Sequence, residues 1–284
     1  MQIRTVGVLG CGLMGSGITQ VCAAAGYPTV VREVDERLLE QGLVRIRRFL
    51  DGGVANGKLT EDRRAFTLSN ITGTTTFDAF HDCDLIIEAI VENVQAKQQA
   101  YFALEPVIPP HTVLLSNTSS LCITELAAAT ARPDRFAGLH FFSPVPLMKL
   151  VEVIRGLTTS DETYRTAVDF AAAIGKEAIA APDRPGFIVN RLLVPYLLDA
   201  VRAHENGLGS VEDIDKGMTL GCGHPIGPFA LLDFIGLDTA YSVANIMFEE
   251  FREPAYAPPP LLKRMVLAGR LGRKSGRGFY TYSS

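Results

Sequence analysis

The sequence lacks the marks of several protein classes. No apolar run approaches the roughly 18 residues of a membrane span, so a membrane anchor is not expected. Positive charge is not in excess, since 27 lysines and arginines face 31 aspartates and glutamates, a net charge of −4. That balance argues against nucleic acid or an anionic membrane as partner. Cysteines number five, an odd count, with no CxxC spacing. A disulfide framework or a cysteine-based zinc site is therefore not expected, and reduced thiols in the cytoplasm are. Cys222-Gly-His224 has no ligand cluster around it, so no metal is expected either. Disorder is excluded by 47% apolar residues. A chain of 284 residues forms one large domain or two medium ones, at roughly 150 residues each.

What is present is an alternation. Val6-Gly-Val-Leu9 reads as a short buried strand. Arg4, this apolar stretch and Cys22-Ala-Ala-Ala25 imitate an export signal. Glycines at 10, 12, 15 and 17 interrupt the helix such a signal requires. They read better as a turn, Gly10-Cys-Gly12-Leu-Met-Gly15, opening a helix that Gly26 closes. Thr29-Val-Val31 follows as a second strand, ending at Arg32-Glu33. Strand, glycine loop, helix and strand open a doubly wound sheet. Further strands are expected at Asp84-Leu-Ile-Ile-Glu88, Val113-Leu-Leu-Ser116, Gly138-Leu-His-Phe-Phe142, Leu150-Val-Glu-Val-Ile154 and near Ala178. Helices fall between them over 94–104, 123–129 and 161–174.

After Ala181-Pro-Asp-Arg-Pro185 the texture changes. Val189, Leu192, Leu193, Tyr196, Leu197 and Ala200 take helical spacing. Ser210-Val-Glu-Asp213 resembles a capping box. Helices are expected near 228–251 and 261–268, and a late strand at 278–281. The fold class is α/β, a Rossmann-type doubly wound sheet over 1–184 followed by an all-helical C-terminal domain over 185–284.

The glycine loop fits a dinucleotide. Gly10 permits the tight turn, Gly12 lets a pyrophosphate approach the backbone, and Gly15 allows close helix–strand packing. The helix start adds N–H groups and partial positive charge. Gly10, Gly12, Leu13, Met14 and Gly15 are the candidate cofactor contacts here. The acid that would bind the ribose is Glu33 or Asp35, and Glu33 is preferred because it ends the strand. A carboxylate there favours NAD over NADP, whereas Arg32 beside it leaves NADP as the alternative.

His140 lies near the end of an apolar strand, where it is either a satisfied core residue or a functional one. Glu152 shifts the balance, because an unpaired carboxylate inside the apolar strand 150–154 would be costly. A His140–Glu152 pair would suit a base that takes a hydroxyl proton while hydride leaves to a nicotinamide. Ser116-Asn-Thr-Ser-Ser120 follows a buried strand and serves either substrate contacts or a turn and helix cap. Asn190, in the first turn of the next helix, is a further candidate.

Taken together, these stretches resemble the 3-hydroxyacyl-CoA dehydrogenase family. The matching segments are Gly10–Gly17, Glu88–Glu92, Ser116–Leu121, His140–Pro144, Met148–Val153, Pro185–Arg191, Val211–Asp215, His224–Pro228 and Gly272–Gly276, in family order along nearly the whole chain. The resemblance implies NAD-dependent oxidation of (S)-3-hydroxyacyl-CoA, with 3-hydroxybutyryl-CoA the expected short-chain substrate, in fatty-acid or butanoate metabolism. It implies His140 as catalytic base or acid with Glu152 as partner, and Ser119 and Asn190 as hydrogen-bonding groups for the substrate. It implies NAD contacts from Glu33, Glu92, Lys97, Ser119, Ser143 and Lys274. Ser143 stands where the family often has Asn. Arg45, Arg47, Arg48 and Lys58 are candidate phosphate partners for coenzyme A, with a solvated basic face as the other reading. The helical domain is expected to carry substrate contacts and a homodimer interface. The rival readings are a sugar-acid dehydrogenase acting on L-gulonate and a non-catalytic NAD-binding relative.

Overall fold

The computed structural model describes residues 2–282. The chain divides into two compact units, Met1–Arg184 and Pro185–Ser284. In the first, eight strands form one sheet. They are β1 (Val6–Leu9), β2 (Thr29–Arg32), β3 (Ile71–Thr74), β4 (Leu85–Glu88), β5 (Val113–Ser116), β6 (Phe136–Phe141), β7 (Leu150–Arg155) and β8 (Glu177–Pro182). Their order is β3-β2-β1-β4-β5-β6-β7-β8. Neighbours run parallel except β6 and β7, which are antiparallel. Strand order reverses between β1 and β4, and ligands of open α/β sheets bind outside the strand ends at such a point. Every residue of β1, β4, β5 and β6 is buried, as continuous apolar runs in a parallel sheet require. Edge strand β3, Ile71-Thr-Gly-Thr74, carries one large apolar residue and gives no such signal in the sequence.

Six helices accompany the sheet: α1 (Leu13–Ala24), α2 (Glu36–Ala55), α3 (Glu61–Ser69), α4 (Val94–Leu104), α5 (Ile123–Ala128) and α6 (Asp161–Ala173). Polar side chains open most of them. Asp35, Thr60, Asn93 and Ser160 accept from the third residue onward in α2, α3, α4 and α6. Asp183 closes the start of α5 through the Ile123 and Thr124 N–H groups. Helix α1 differs, because it starts at Gly12 with no side-chain cap.

The second unit holds α7 (Val189–Glu205), α8 (Val211–Lys216), α9 (Pro228–Ile235), α10 (Leu237–Phe251) and α11 (Pro260–Leu267) around Leu197, Leu198, Phe229, Leu232, Leu237 and Met247. The helix expected over 228–251 is two helices bent by 94°. Gly236, at φ +98°, makes the break. The late strand expected at 278–281 is a pair of isolated bridges, Gly272 to Arg277 and Arg277 to Thr281. Two buried carboxylates replace a strand ladder there. Asp215 accepts from the Phe229 and Ala230 N–H groups and the Tyr280 hydroxyl. Asp233 accepts from the Phe279 and Tyr280 N–H groups and the Tyr282 hydroxyl. Ser210 caps α8, but Asp213 accepts the Ser210 hydroxyl instead of reaching back to its N–H as a full capping box does.

Candidate active site at the strand ends

The glycine loop lies at the carboxyl end of β1. Gly10 has φ +94°, and a Cβ there would sit 2.6 Å from the Ala89 carbonyl oxygen. A Cβ on Gly15 would sit 1.9 Å from the Gly10 oxygen. Both glycines are therefore demanded by the protein's own packing. Gly12 is not, because a Cβ there meets nothing within 4 Å. The space above Gly12 and the uncapped start of α1 together fit a pyrophosphate, whose oxygens the free N–H groups would receive. Leu13 is exposed on this loop and Met14 is half-buried. The loop is braced from α2, where Gly42 abuts Cys11 and Arg45 donates to the Cys11 carbonyl at 3.3 Å.

The structure separates the two acids after β2. Asp35 is the cap of α2, its Oδ1 accepting from the Leu38 N–H at 2.7 Å. Glu33 stands at the strand end and accepts locally, from the Val34 N–H at 2.8 Å. Arg32 is already engaged, with Nε donating to the Thr75 carbonyl and the guanidinium 4.0 Å over the Phe77 ring. Both contacts hold the Arg32 side chain beside the end of β2.

His140 and Glu152 occupy directly opposed positions of the antiparallel pair β6–β7. Nδ1 lies 2.7 Å from Glu152 Oε2, in a setting where Glu152 is fully buried and His140 is 6% exposed. A carboxylate can only accept, so Nδ1–H donates to it. The His140 ring also packs 4.6 Å from the Phe142 ring, centroid to centroid.

The polar run after β5 is gathered by Glu92. Its Oε1 accepts from the Thr118 hydroxyl at 2.7 Å, from the Ser119 N–H and hydroxyl, and from the Ser120 N–H and hydroxyl. Burial raises the Glu92 pKa, but Lys97 and the Thr118 and Ser119 donors outweigh it, and the net shift is downward. Lys97 is 1% exposed and sits 3.5 Å from Glu92 Oε2 and 2.5 Å from Glu88 Oε1. Glu88 also accepts from the Ile90 N–H and from the Tyr101 and Ser116 hydroxyls. The Tyr101 pKa is driven well above 10.0, by burial first and then by Glu88. Lys97 thus bridges two carboxylates beneath the loop, and its ammonium is enclosed, not presented at the surface.

Ser143 is exposed on the turn after β6. Lys176, itself buried, fixes that turn by donating to the Val145 and Met148 carbonyls at 2.6 and 2.8 Å. Arg47 is paired with Glu40 and Arg45 with the Cys11 carbonyl, while Arg48 and Lys58 stand exposed. In the second unit, Asn190 is the second residue of α7, and Lys274 pairs with Asp238 at 2.6 Å. Sequence reasoning gave no role to Glu88 or Lys176, and took Asn117 only as one member of the polar run 116–120. Glu88 carried the same signal as Glu152, a carboxylate in an apolar strand.

An open doubly wound sheet with this glycine loop and a carboxylate just after the second strand defines a dinucleotide-binding protein of the Rossmann class. Comparison with known proteins narrows the class. Residues 5–184 match the profile of the 3-hydroxyacyl-CoA dehydrogenase NAD binding domain, and residues 186–282 match that of the C-terminal domain. The 3-hydroxybutyryl-CoA dehydrogenase of Mycobacterium tuberculosis is 49% identical over 282 residues, 99% of each chain. The human mitochondrial hydroxyacyl-coenzyme A dehydrogenase is 46% identical over 288 residues, covering 99% of this chain and 91% of its own. The crystal structure of (S)-3-hydroxybutyryl-CoA dehydrogenase PaaH1 from Ralstonia eutropha superposes with TM-score 0.94 at 45% identity, covering 100% of both chains. The chain belongs to the 3-hydroxyacyl-CoA dehydrogenase family, and NAD is its cofactor.

Proposed function

We propose that this dehydrogenase interconverts (S)-3-hydroxybutyryl-CoA and acetoacetyl-CoA. The observation that carries the reading is the buried His140–Glu152 pair at the carboxyl end of β6. Bound NAD supplies the hydride acceptor. His140 Nε2 takes the C3 hydroxyl proton in oxidation and returns it in reduction. Glu152 fixes the ring and its tautomer through Nδ1 and stabilises the imidazolium that forms. Ser119, held by Glu92, and Asn190 hydrogen-bond the substrate. Gly10, Gly12, Leu13, Met14 and Gly15 receive the pyrophosphate, and Glu33 receives the ribose hydroxyls. Lys97 serves the cofactor side through Glu92, which it neutralises and orients. Ser143 and Lys274 complete the NAD contacts, and Arg48 and Lys58 bind coenzyme A phosphates.

The short-chain preference is supported by the names of the bacterial relatives. A homodimer formed through the helical unit fits the exposed Leu192, Leu220 and Leu267. A cytoplasmic location fits five free thiols. The deciding assay is NADH oxidation with acetoacetyl-CoA against longer 3-ketoacyl-CoAs, and NAD reduction with L-gulonate. Acetoacetyl-CoA is expected to give the highest kcat/KM, and a preference for L-gulonate overturns the assignment. Light scattering should report twice the 30.7 kDa chain mass.

A further inference from the structure

The ladder between β5 and β6 ends at Ser116, opposite Gly138. Further along β6, the Phe141 N–H finds no backbone carbonyl of β5. Its acceptor is the Asn117 side chain, with Oδ1 at 2.9 Å. Asn117 is itself tied down, because its N–H donates to the Glu88 carbonyl at 2.8 Å. Phe141 is 1% exposed, and a buried N–H needs a partner. The amide oxygen of Asn117 thus extends the sheet by one rung after the backbone of β5 has turned away.

That rung falls on the peptide unit joining His140 to Phe141. Glu152 holds the His140 ring from β7, and Asn117 holds its backbone from β5. Asn117 also begins the run that continues through Thr118, Ser119 and Ser120, the residues gathered by Glu92. We propose that Asn117 is a positioning residue for the hydride-transfer reaction. It sets the place of His140 relative to Ser119 by joining the ends of their two strands through one side-chain hydrogen bond. The inference rests on the reading of His140 as the proton-transfer group.

Three substitutions test it. Asn117→Ala removes the acceptor, Asn117→Ser shortens it beyond reach, and Asn117→Asp keeps an oxygen at the same distance from the backbone. In the Ala and Ser variants kcat for acetoacetyl-CoA reduction should fall roughly 10- to 100-fold, the scale on which small misplacements act. KM for NADH should stay within about twofold, because the glycine loop is untouched. The Phe141 amide hydrogen, followed by NMR exchange, should exchange at least about tenfold faster. Asn117→Asp should restore Phe141 protection and bring kcat back to within roughly fivefold of the parent. If the Ala variant does not fold, the Ser and Asp variants carry the same comparison. The inference is overturned if the shortened variants keep parental kcat, or if Asp restores Phe141 protection without restoring kcat. His140→Ala separates this from the reading beneath it. Full turnover in His140→Ala removes that reading, whereas loss of turnover there with a fully active Asn117→Ser removes the positioning role alone.

Discussion

Glu33 and Asp35, two residues apart, carry out different tasks: Asp35 caps α2 through the Leu38 N–H, and Glu33 is left at the end of β2. Glu33→Ala should therefore reduce the preference for NAD over NADP. The expected change in the ratio of kcat/KM values is about 10- to 100-fold, the worth of one or two hydrogen bonds to a charged group. Asp35→Ala should lower thermal stability through α2 and leave the ratio alone. The reverse pattern assigns the ribose to Asp35.

His140→Ala should cut kcat by roughly 10²- to 10⁴-fold while NADH affinity stays near parental. Glu152→Gln keeps the shape, but its amide can donate to Nδ1 and so stabilise the tautomer with a proton on Nε2. That tautomer cannot accept the substrate proton, so oxidation should slow by roughly 10²-fold or more. Steady-state kinetics in the oxidation direction decide this. A Glu152→Gln enzyme with parental kcat reduces the pair to a packing role.

Gly12 and Gly15 should separate ligand binding from folding. Gly12→Ala adds a methyl to open space, so the melting temperature should hold while NADH binding weakens roughly tenfold or more, the cost of overpacking against a ligand. Gly15→Ala drives a methyl into the Gly10 carbonyl and should lower the melting temperature by about 5–10 °C. Calorimetry paired with NADH titration reads both. A Gly12→Ala protein that binds NADH normally removes the pyrophosphate from that position.

Glu92 should leave a signature on the acid side. Its pKa is below the ordinary 4.5 in the folded protein, so it stabilises the fold fully above that value. This contribution is lost as the pH falls through the lower folded value. The melting-temperature gap between the parent and Glu92→Gln should therefore narrow from pH 6 to pH 3. A gap that stays constant over this window shows that Glu92 does not supply the charge-dependent support of the Thr118–Ser120 loop.

Much of the site was legible because charge inside an apolar strand has few explanations. Glu152 demanded a partner, and the short connection between 142 and 150 placed β6 beside β7. The glycine loop was legible from its position between a strand and a helix. The burial of Lys97 between two carboxylates was not, because a lysine on a helix reads as a surface cation until Glu88 is known to lie beneath it. Nor was Asn117, whose side chain replaces a backbone carbonyl and so leaves no trace in hydrophobic periodicity. The break at Gly236 was hidden for a different reason. Apolar spacing continues across it, and the turn is set by one glycine that a helix also tolerates.

The clasp around Asp215 and Asp233 has a bearing on how the protein is made. The sheet unit is complete once residue 184 has been synthesised and can fold while translation continues. The helical unit cannot settle so early, because Asp233 takes its donors from Phe279, Tyr280 and Tyr282. All five helices precede those residues in the chain, and until they arrive Asp233 lacks these donors while Asp215 has only the Phe229 and Ala230 N–H groups. The helical unit therefore closes its clasp only after residues 279–282 have been synthesised, later than the sheet unit.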